Sequence, residues 1–242
     1  MNFGAILAGG TGTRMGCNLP KQFIDLCGKP IIIWTIERMM SVNEFDYLFV
    51  GIHPDFNKFL EDLLVQYNIP REKIILVKGG KERIDSITNV LNKIFGYCQN
   101  DDDIVVIHDA VRPFVSKEIL LNSIKISREY GACVATTPAV DTMYMLDNTG
   151  FIKEFPDRKT IFNGQAPDSF RVRLLKNALD SMSIEEKNVI TGTVQICAQK
   201  GFPVKTIQGD YRNIKITTES DLAIAETIVK MGKLNESVCA RK

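Results

Sequence analysis

Histidine is scarce in this chain: only His53 and His108 occur. Six cysteines, Cys17, Cys27, Cys98, Cys133, Cys197 and Cys239, form no C-x-x-C pair. Both shortages argue against a zinc site and a disulfide framework, and the cysteines read as free thiols of a reducing cytoplasm. Charge of one sign is also lacking. The 30 Lys and Arg against 29 Asp and Glu leave a net charge of +1, without the basic excess of a nucleic-acid binder. Apolar stretches such as Ile31-Ile-Ile-Trp34 fall far short of a membrane span. The opening Met1-Asn-Phe-Gly-Ala-Ile-Leu has no charged region leading into a long apolar run, so it does not read as a signal peptide. The expectation is a cytoplasmic protein that engages neither nucleic acid nor membrane.

What is present is ample apolar material: 45% of 242 residues are hydrophobic, enough for one large α/β domain. Short apolar, β-rich runs alternate with helical patterns. Strands are expected at Phe3–Leu7, Tyr47–Ile52, Ile74–Lys78, Ile104–His108 and Ala132–Thr136. Between them, helices are expected from Pro30 to about Met40, from Pro54 to Tyr67, from Glu82 to Tyr97, and from Ser116 to Tyr130 with Gly131 closing it. This alternation predicts a Rossmann-like, mostly parallel twisted sheet with helices on both faces. After Val140 the pattern changes. Thr142–Leu146 and Phe151–Phe155 flank a turn-rich Asp147-Asn-Thr-Gly150, which reads as a β-hairpin arm at about 141–158 that projects from the domain. Helices near Arg171–Ser181 and Thr193–Lys200, a strand at Val204–Gln208 and a helix from about Glu219 to Met231 complete a single domain over 1–242.

The most distinctive segment is Ala8-Gly-Gly-Thr-Gly-Thr-Arg-Met-Gly16. Glycines after a first strand let main-chain N–H groups approach phosphates, because no Cβ intervenes. The dinucleotide fingerprint is absent, since Met15 stands where its third glycine belongs, and no Gly-Lys-Ser/Thr follows as a P-loop requires. Arg14 inside the segment and Lys21 just after it suit an anionic triphosphate.

Leu7-Ala-Gly-Gly-x-Gly-x-Arg-Met-Gly16 followed by Pro20-Lys-Gln-Phe23 resembles the signature of the nucleotidyltransferases that include methylerythritol-phosphate and ribitol-5-phosphate cytidylyltransferases. Gly79-Gly-Lys-Glu-Arg-Ile-Asp-Ser86, His108-Asp-Ala-Val-Arg-Pro-Phe114, Asp141-Thr142, Asp157-Arg158, Gly164-Gln165 and Asn213-Ile-Lys-Ile-Thr217 follow in the family's order. The resemblance implies attack by a substrate phosphate on the α-phosphorus of CTP, with positioning and electrostatics in place of a covalent nucleophile. It assigns Arg14, Lys21 and Lys215 to the reacting phosphates. Ala8, Gly9, Gly10, Gly12, Thr13, Gly79, Arg83 and Ser86 would bind the nucleotide. Asp109, Arg112, Thr142, Arg158 and Thr191 would face the acceptor, and Asp109 would hold Mg²⁺. His108 reads as a packed histidine. The resemblance also implies a homodimer by arm exchange, with Thr142 and Arg158 entering the partner's acceptor site.

Two positions depart from the family pattern: Ala166-Pro-Asp168 replaces a common Thr-Pro-Gln, and Gly192 follows Thr191 in place of an acidic residue. Both lie on the acceptor side. Ala8-Gly9-Gly10 and Asn163-Gly-Gln165 lean towards the ribitol-5-phosphate branch, hence a polyol phosphate acceptor for surface glycans such as teichoic acid or capsule. Methylerythritol 4-phosphate, for isoprenoid synthesis, is the alternative. A nicotinamide oxidoreductase and a catalytically silent CTP sensor are rival readings. The missing glycine and the retained Arg14, Lys21, Asp109 and Lys215 argue against them.

Overall fold

The computed structural model describes residues 1–10 and 19–239, with side chains to residue 232. Strands β1 (Asn2–Ala8), β2 (Tyr47–Ile52) and β3 (Ile74–Lys78) are joined by helices α1 (Ile31–Met40) and α2 (Asn57–Gln66). Helix α3 (Arg83–Phe95) leads back to β4 (Ile104–Asp109), and α4 (Lys117–Tyr130) leads to β5 (Ala132–Pro138). Then come the short strands β6 (Met145–Leu146) and β7 (Ile152–Glu154), the long β8 (Phe162–Arg171), and helices α5 (Val172–Asp180), α6 (Ile184–Asn188) and α7 (Thr193–Gln199). Strand β9 (Lys205–Gln208) and helix α8 (Glu219–Cys239) follow.

The main sheet runs β3-β2-β1-β4-β8-β5-β9. Pairs β3–β2, β2–β1, β1–β4 and β5–β9 are parallel, and β8 alone runs antiparallel to its neighbours β4 and β5. Side-chain alternation splits the core. Ile104 and Val106 point to the layer of α1, α2 and α4, while Val105 and Ile107 point to that of α3, α5 and α7. A third cluster of Leu26, Ile31, Val111, Ile216, Ala225 and Val229 packs α8 against the loops at the strand ends. Strand order reverses between the parallel β1 and β4: the chain runs outward from β1 to β3 on one side and resumes with β4 on the other. That makes their carboxyl ends the switch point at which open α/β sheets bind ligands.

The expected alternation is present, with boundaries shifted by a few residues. At α4, Ser116 Oγ accepts from Ile119 N at 3.2 Å, and Gly131 ends the helix at φ +91°. Pro54–Phe56 is a 3₁₀ turn ahead of α2. The hairpin is shorter than predicted: only Met145–Leu146 and Ile152–Glu154 pair. Its tip is held by Asp147 Oδ1, which accepts from Thr149 N at 2.8 Å and Phe151 N at 3.1 Å.

Strand β8 is not among the strands expected from sequence, because Gly164 and Pro167 argue against a central strand. In the structure Pro167 lies beyond the last β4–β8 pair, Ile107 with Asp168, and within the register shift between β5 and β8. No ladder bond is demanded of its absent N–H there. Phe170 of β8 is fully buried against α3 and α5. Phe170→Ala is expected to lower the unfolding free energy by about 3–5 kcal/mol in urea titration. A loss under about 1 kcal/mol would mean that β8 is not integral to the core.

Candidate active site

The carboxyl ends of β1 and β4 meet three other segments in one cleft. Ala8, Gly9, Gly10, Lys21, Arg83, Ser86, Asp109 and Lys215 all line it, together with Gln22, Gly80 and Ala110. Each arrives by a local cause. Gly9 and Gly10 continue β1. A Cβ on Gly9 would stand 2.7 Å from Ser86 Oγ, so glycine permits this approach of strand end to helix. Gly79 follows β3, its N–H bonded to Ile52 O at 2.7 Å. Gly80 N–H donates to Ser86 Oγ at 3.0 Å, and a Cβ there would collide with Asp85. Asp85 Oδ2 accepts from Glu82 N at 3.1 Å, starting α3 so that Arg83 leaves its first turn towards β4.

Asp109, the last residue of β4, is the charge centre. Its Oδ1 accepts from Arg83 Nη1 at 3.0 Å, and its Oδ2 meets Arg112 Nε at 3.2 Å and Lys215 Nζ at 3.1 Å. Burial alone would push this carboxyl up, but Arg83, Lys215 and Arg112 together hold it well below the usual carboxylate range. Three cations around one carboxylate leave an excess of positive charge facing the cleft. Arg112 also donates from Nη1 to Asn213 O at 2.7 Å, and Asn213 Nδ2 donates to Ala166 O at 2.7 Å. Ile216 N bonds Val111 O at 2.9 Å, which seats the Lys215 segment beside β4.

His108 is fully buried, and its Nε2 donates to Arg112 O at 3.0 Å. Burial lowers its pKa to about 4, so it is neutral at physiological pH and serves to shape the loop, in line with its reading as a packed histidine. Gln22 and Asp168 are two buried polar residues at the site to which the sequence motifs attach no role.

Gly12, Thr13 and Arg14 lie outside the described residues. Thr142 and Arg158 sit on the exposed arm, where Arg158 Nη1 donates to Val140 O at 2.9 Å. Thr191 is exposed and engages Gln195, its Oγ1 3.0 Å from Oε1. None of these three lines the cleft. Among the described residues no three His, Cys, Asp or Glu side chains cluster to hold a metal, and no helix is long and apolar enough to cross a membrane.

The family model for 2-C-methyl-D-erythritol 4-phosphate cytidylyltransferase matches residues 4–231. The chain belongs to that family. It is therefore a CTP-dependent cytidylyltransferase, a nucleotidyltransferase. Solved structures agree. The 4-diphosphocytidyl-2C-methyl-D-erythritol synthase of Anaerococcus prevotii is 26% identical with a TM-score of 0.79, over 95% of this chain and 96% of that one. The 2-C-methyl-D-erythritol 4-phosphate cytidylyltransferase of Francisella tularensis is 27% identical with a TM-score of 0.75, over 93% and 97%. That of Thermus thermophilus shares the fold at 22% identity and a TM-score of 0.73, over 95% and 100%. These comparisons favour the isoprenoid alternative over the ribitol lean taken from Gly9 and Gln165.

Asp168 lies on β8 opposite Ile107, on the same face of the sheet as Asp109. Burial first, then the Asp109 charge, push its carboxyl up to about 7, with Arg83 and Arg112 opposing. Its folded state thus holds a proton that the unfolded chain releases near pH ~4. Folding stability should fall as pH rises from about 4 to about 7. Asp168→Asn is expected to flatten that fall in Tm and to raise Tm at about pH 8. Parallel wild-type and variant curves would remove Asp168 as the source.

Proposed function

We propose that this cytidylyltransferase joins CMP to 2-C-methyl-D-erythritol 4-phosphate and releases pyrophosphate. The observation that carries the site assignment is the convergence of Arg83, Arg112 and Lys215 on Asp109 at the mouth of the glycine-lined cleft. An acceptor phosphate oxygen bonds to the α-phosphorus of CTP as the bond from that phosphorus to the α–β bridging oxygen breaks. The acceptor phosphate attacks as an anion, so no base is needed, consistent with the neutral, packed His108. Two anions must be brought together, and charge spreads over phosphoryl oxygens in the transition state. Fixed cations are the means of stabilising it. Lys215 and Lys21, with Arg14, act on the triphosphate. Gly9, Gly10, Gly79, Gly80 and Ser86 form the nucleoside side, Ser86 bonding Gly80 N–H in readiness.

Mg²⁺ fits this donor set. It is ordinarily held by one or two carboxylates plus substrate phosphates. Three cations use three of the roughly four lone-pair positions of the Asp109 carboxylate, leaving one for a metal that arrives with CTP. When bound, the ion would neutralise phosphate charge. The chain's own residues position the triphosphate and orient Asp109.

The whole of 1–242 serves as one catalytic domain, and the arm completes a partner's site. Phe151, Phe155 and Tyr144 stand 74%, 69% and 52% exposed on the arm, an apolar surface suited to burial in a homodimer. Thr142 and Arg158, which do not line their own cleft, would reach the partner's acceptor. Cys27, Cys98, Cys133 and Cys197 are free thiols, which supports a cytoplasmic location. A second reading, ribitol 5-phosphate as acceptor, rests on Gly9 and on Gln165, whose Nε2 donates to Asp210 O at 3.0 Å.

Pyrophosphate release should be measured for four nucleoside triphosphates against a panel of polyol and sugar phosphates with Mg²⁺. CTP with methylerythritol 4-phosphate is expected to be fastest. Faster turnover of ribitol 5-phosphate would select the second reading, and indifference to CTP would defeat both. Lys215→Ala should cost about 10²–10³ in kcat. For the arm, Phe151→Asp with Phe155→Asp should give a monomer in sedimentation with little turnover; a monodisperse monomer at full rate would refute the shared site.

A further inference from the structure

Gln22 is 2% exposed, in the 3₁₀ turn Lys21–Phe23, and its carboxamide bonds to the glycine segment, away from the charged cluster around Asp109. Its Nε2 lies 2.9 Å from Ala8 O and 3.1 Å from Gly10 O. Two carbonyl oxygens can only accept, so the NH₂ end of the carboxamide faces them and both of its hydrogens are spent. The two acceptors bracket Gly9, and Gly9 and Gly10 are the residues with the widest backbone freedom. Both carbonyls belong to a cleft that must receive a polyanion. Left unclamped, either could turn the negative end of its dipole towards the phosphates. Held by Gln22, both carbonyls are fixed and their negative ends partly neutralised, and Gly9 stays against Ser86.

We propose that Gln22 is a positioning residue for the nucleotide: it clamps the Ala8 and Gly10 carbonyls and so keeps residues 8–10 in the one conformation that accepts a triphosphate. It touches neither reacting atom, so its effect should fall on nucleotide affinity and leave the acceptor alone. The inference rests on CTP being the nucleotide bound in this cleft.

Gln22→Met and Gln22→Glu keep the length of the side chain. Methionine donates nothing, and a carboxylate places a third acceptor against two carbonyls. In the full-length enzyme, KM for CTP should rise about tenfold in Gln22→Met and further in Gln22→Glu. KM for the acceptor phosphate and kcat at saturating CTP should stay within about twofold of wild type. Protonation gives the glutamate one donor, so the KM ratio of Gln22→Glu to wild type should narrow as pH falls from about 8 to about 6. Direct titration of each folded variant with CTP alone should show the same loss. An unchanged KM for CTP in Gln22→Met would overturn the proposal. Equal increases in both KM values, or a Gln22→Glu deficit indifferent to pH, would also overturn it, because they describe a merely structural residue. If wild type itself released no pyrophosphate from CTP, the functional reading would fail. The clamp would then be judged by titration with whichever triphosphate wild type binds.

Discussion

The meeting of one buried carboxylate with three cations organises this molecule. Asp109 ends the central strand β4, and Arg83, Arg112 and Lys215 reach it from α3, from the loop after β4 and from the segment before α8. Removing the carboxylate would leave three cations repelling one another, and removing the cations would leave a buried charge. Each ion pair therefore constrains the segment that supplies it. The third apolar cluster, in which Val111, Ile216 and Ala225 pack together, keeps the Lys215 segment within reach. The remaining positive charge faces the cleft, where an anionic substrate can complete the balance.

The other half of the cleft depends on shape more than charge. Gly9 and Gly80 lie where side chains would strike Ser86 and Asp85. The backbone thus comes close enough to offer its own polar groups to a nucleotide. Such a segment has little intrinsic rigidity. Gln22 supplies it from a neighbouring turn, and Ser86 supplies it from α3. Charged residues and glycines thus play separate parts. In the proposed reading the charged residues set the field at the reacting phosphates, and the glycines shape the space around the nucleoside.

Periodicity made most of the fold legible. The β1, β2, β3, β4 and β5 segments carry apolar, β-rich runs, and their intervening helices carry apolar residues at helical spacing, because both faces of the sheet are buried. Strand β8 was illegible. Its Phe162-Asn-Gly-Gln-Ala-Pro-Asp-Ser-Phe-Arg171 carries turn-forming residues, and it is a strand only because β4 and β5 offer two edges and a register shift spares Pro167 a donor. The arm pairs over fewer residues than its β-rich sequence suggests, since two exposed strands pair no further than their turn enforces.

For the site, residue types and order in the chain were enough to point to Ala8, Gly9, Gly10, Lys21, Arg83, Ser86, Asp109 and Lys215, which share one cleft. Those positions are legible because the motifs are local and each sits at the end of a periodic element. The sequence by itself determined the alternating α/β layout and the reaction class, through apolar spacing and short motifs. Tertiary structure alone decided which charges neutralise which. It set the direction of the Ala8 and Gly10 carbonyls and the elevated proton affinity of Asp168. Those properties arise from distance and burial between segments far apart in the chain, and no local pattern encodes them.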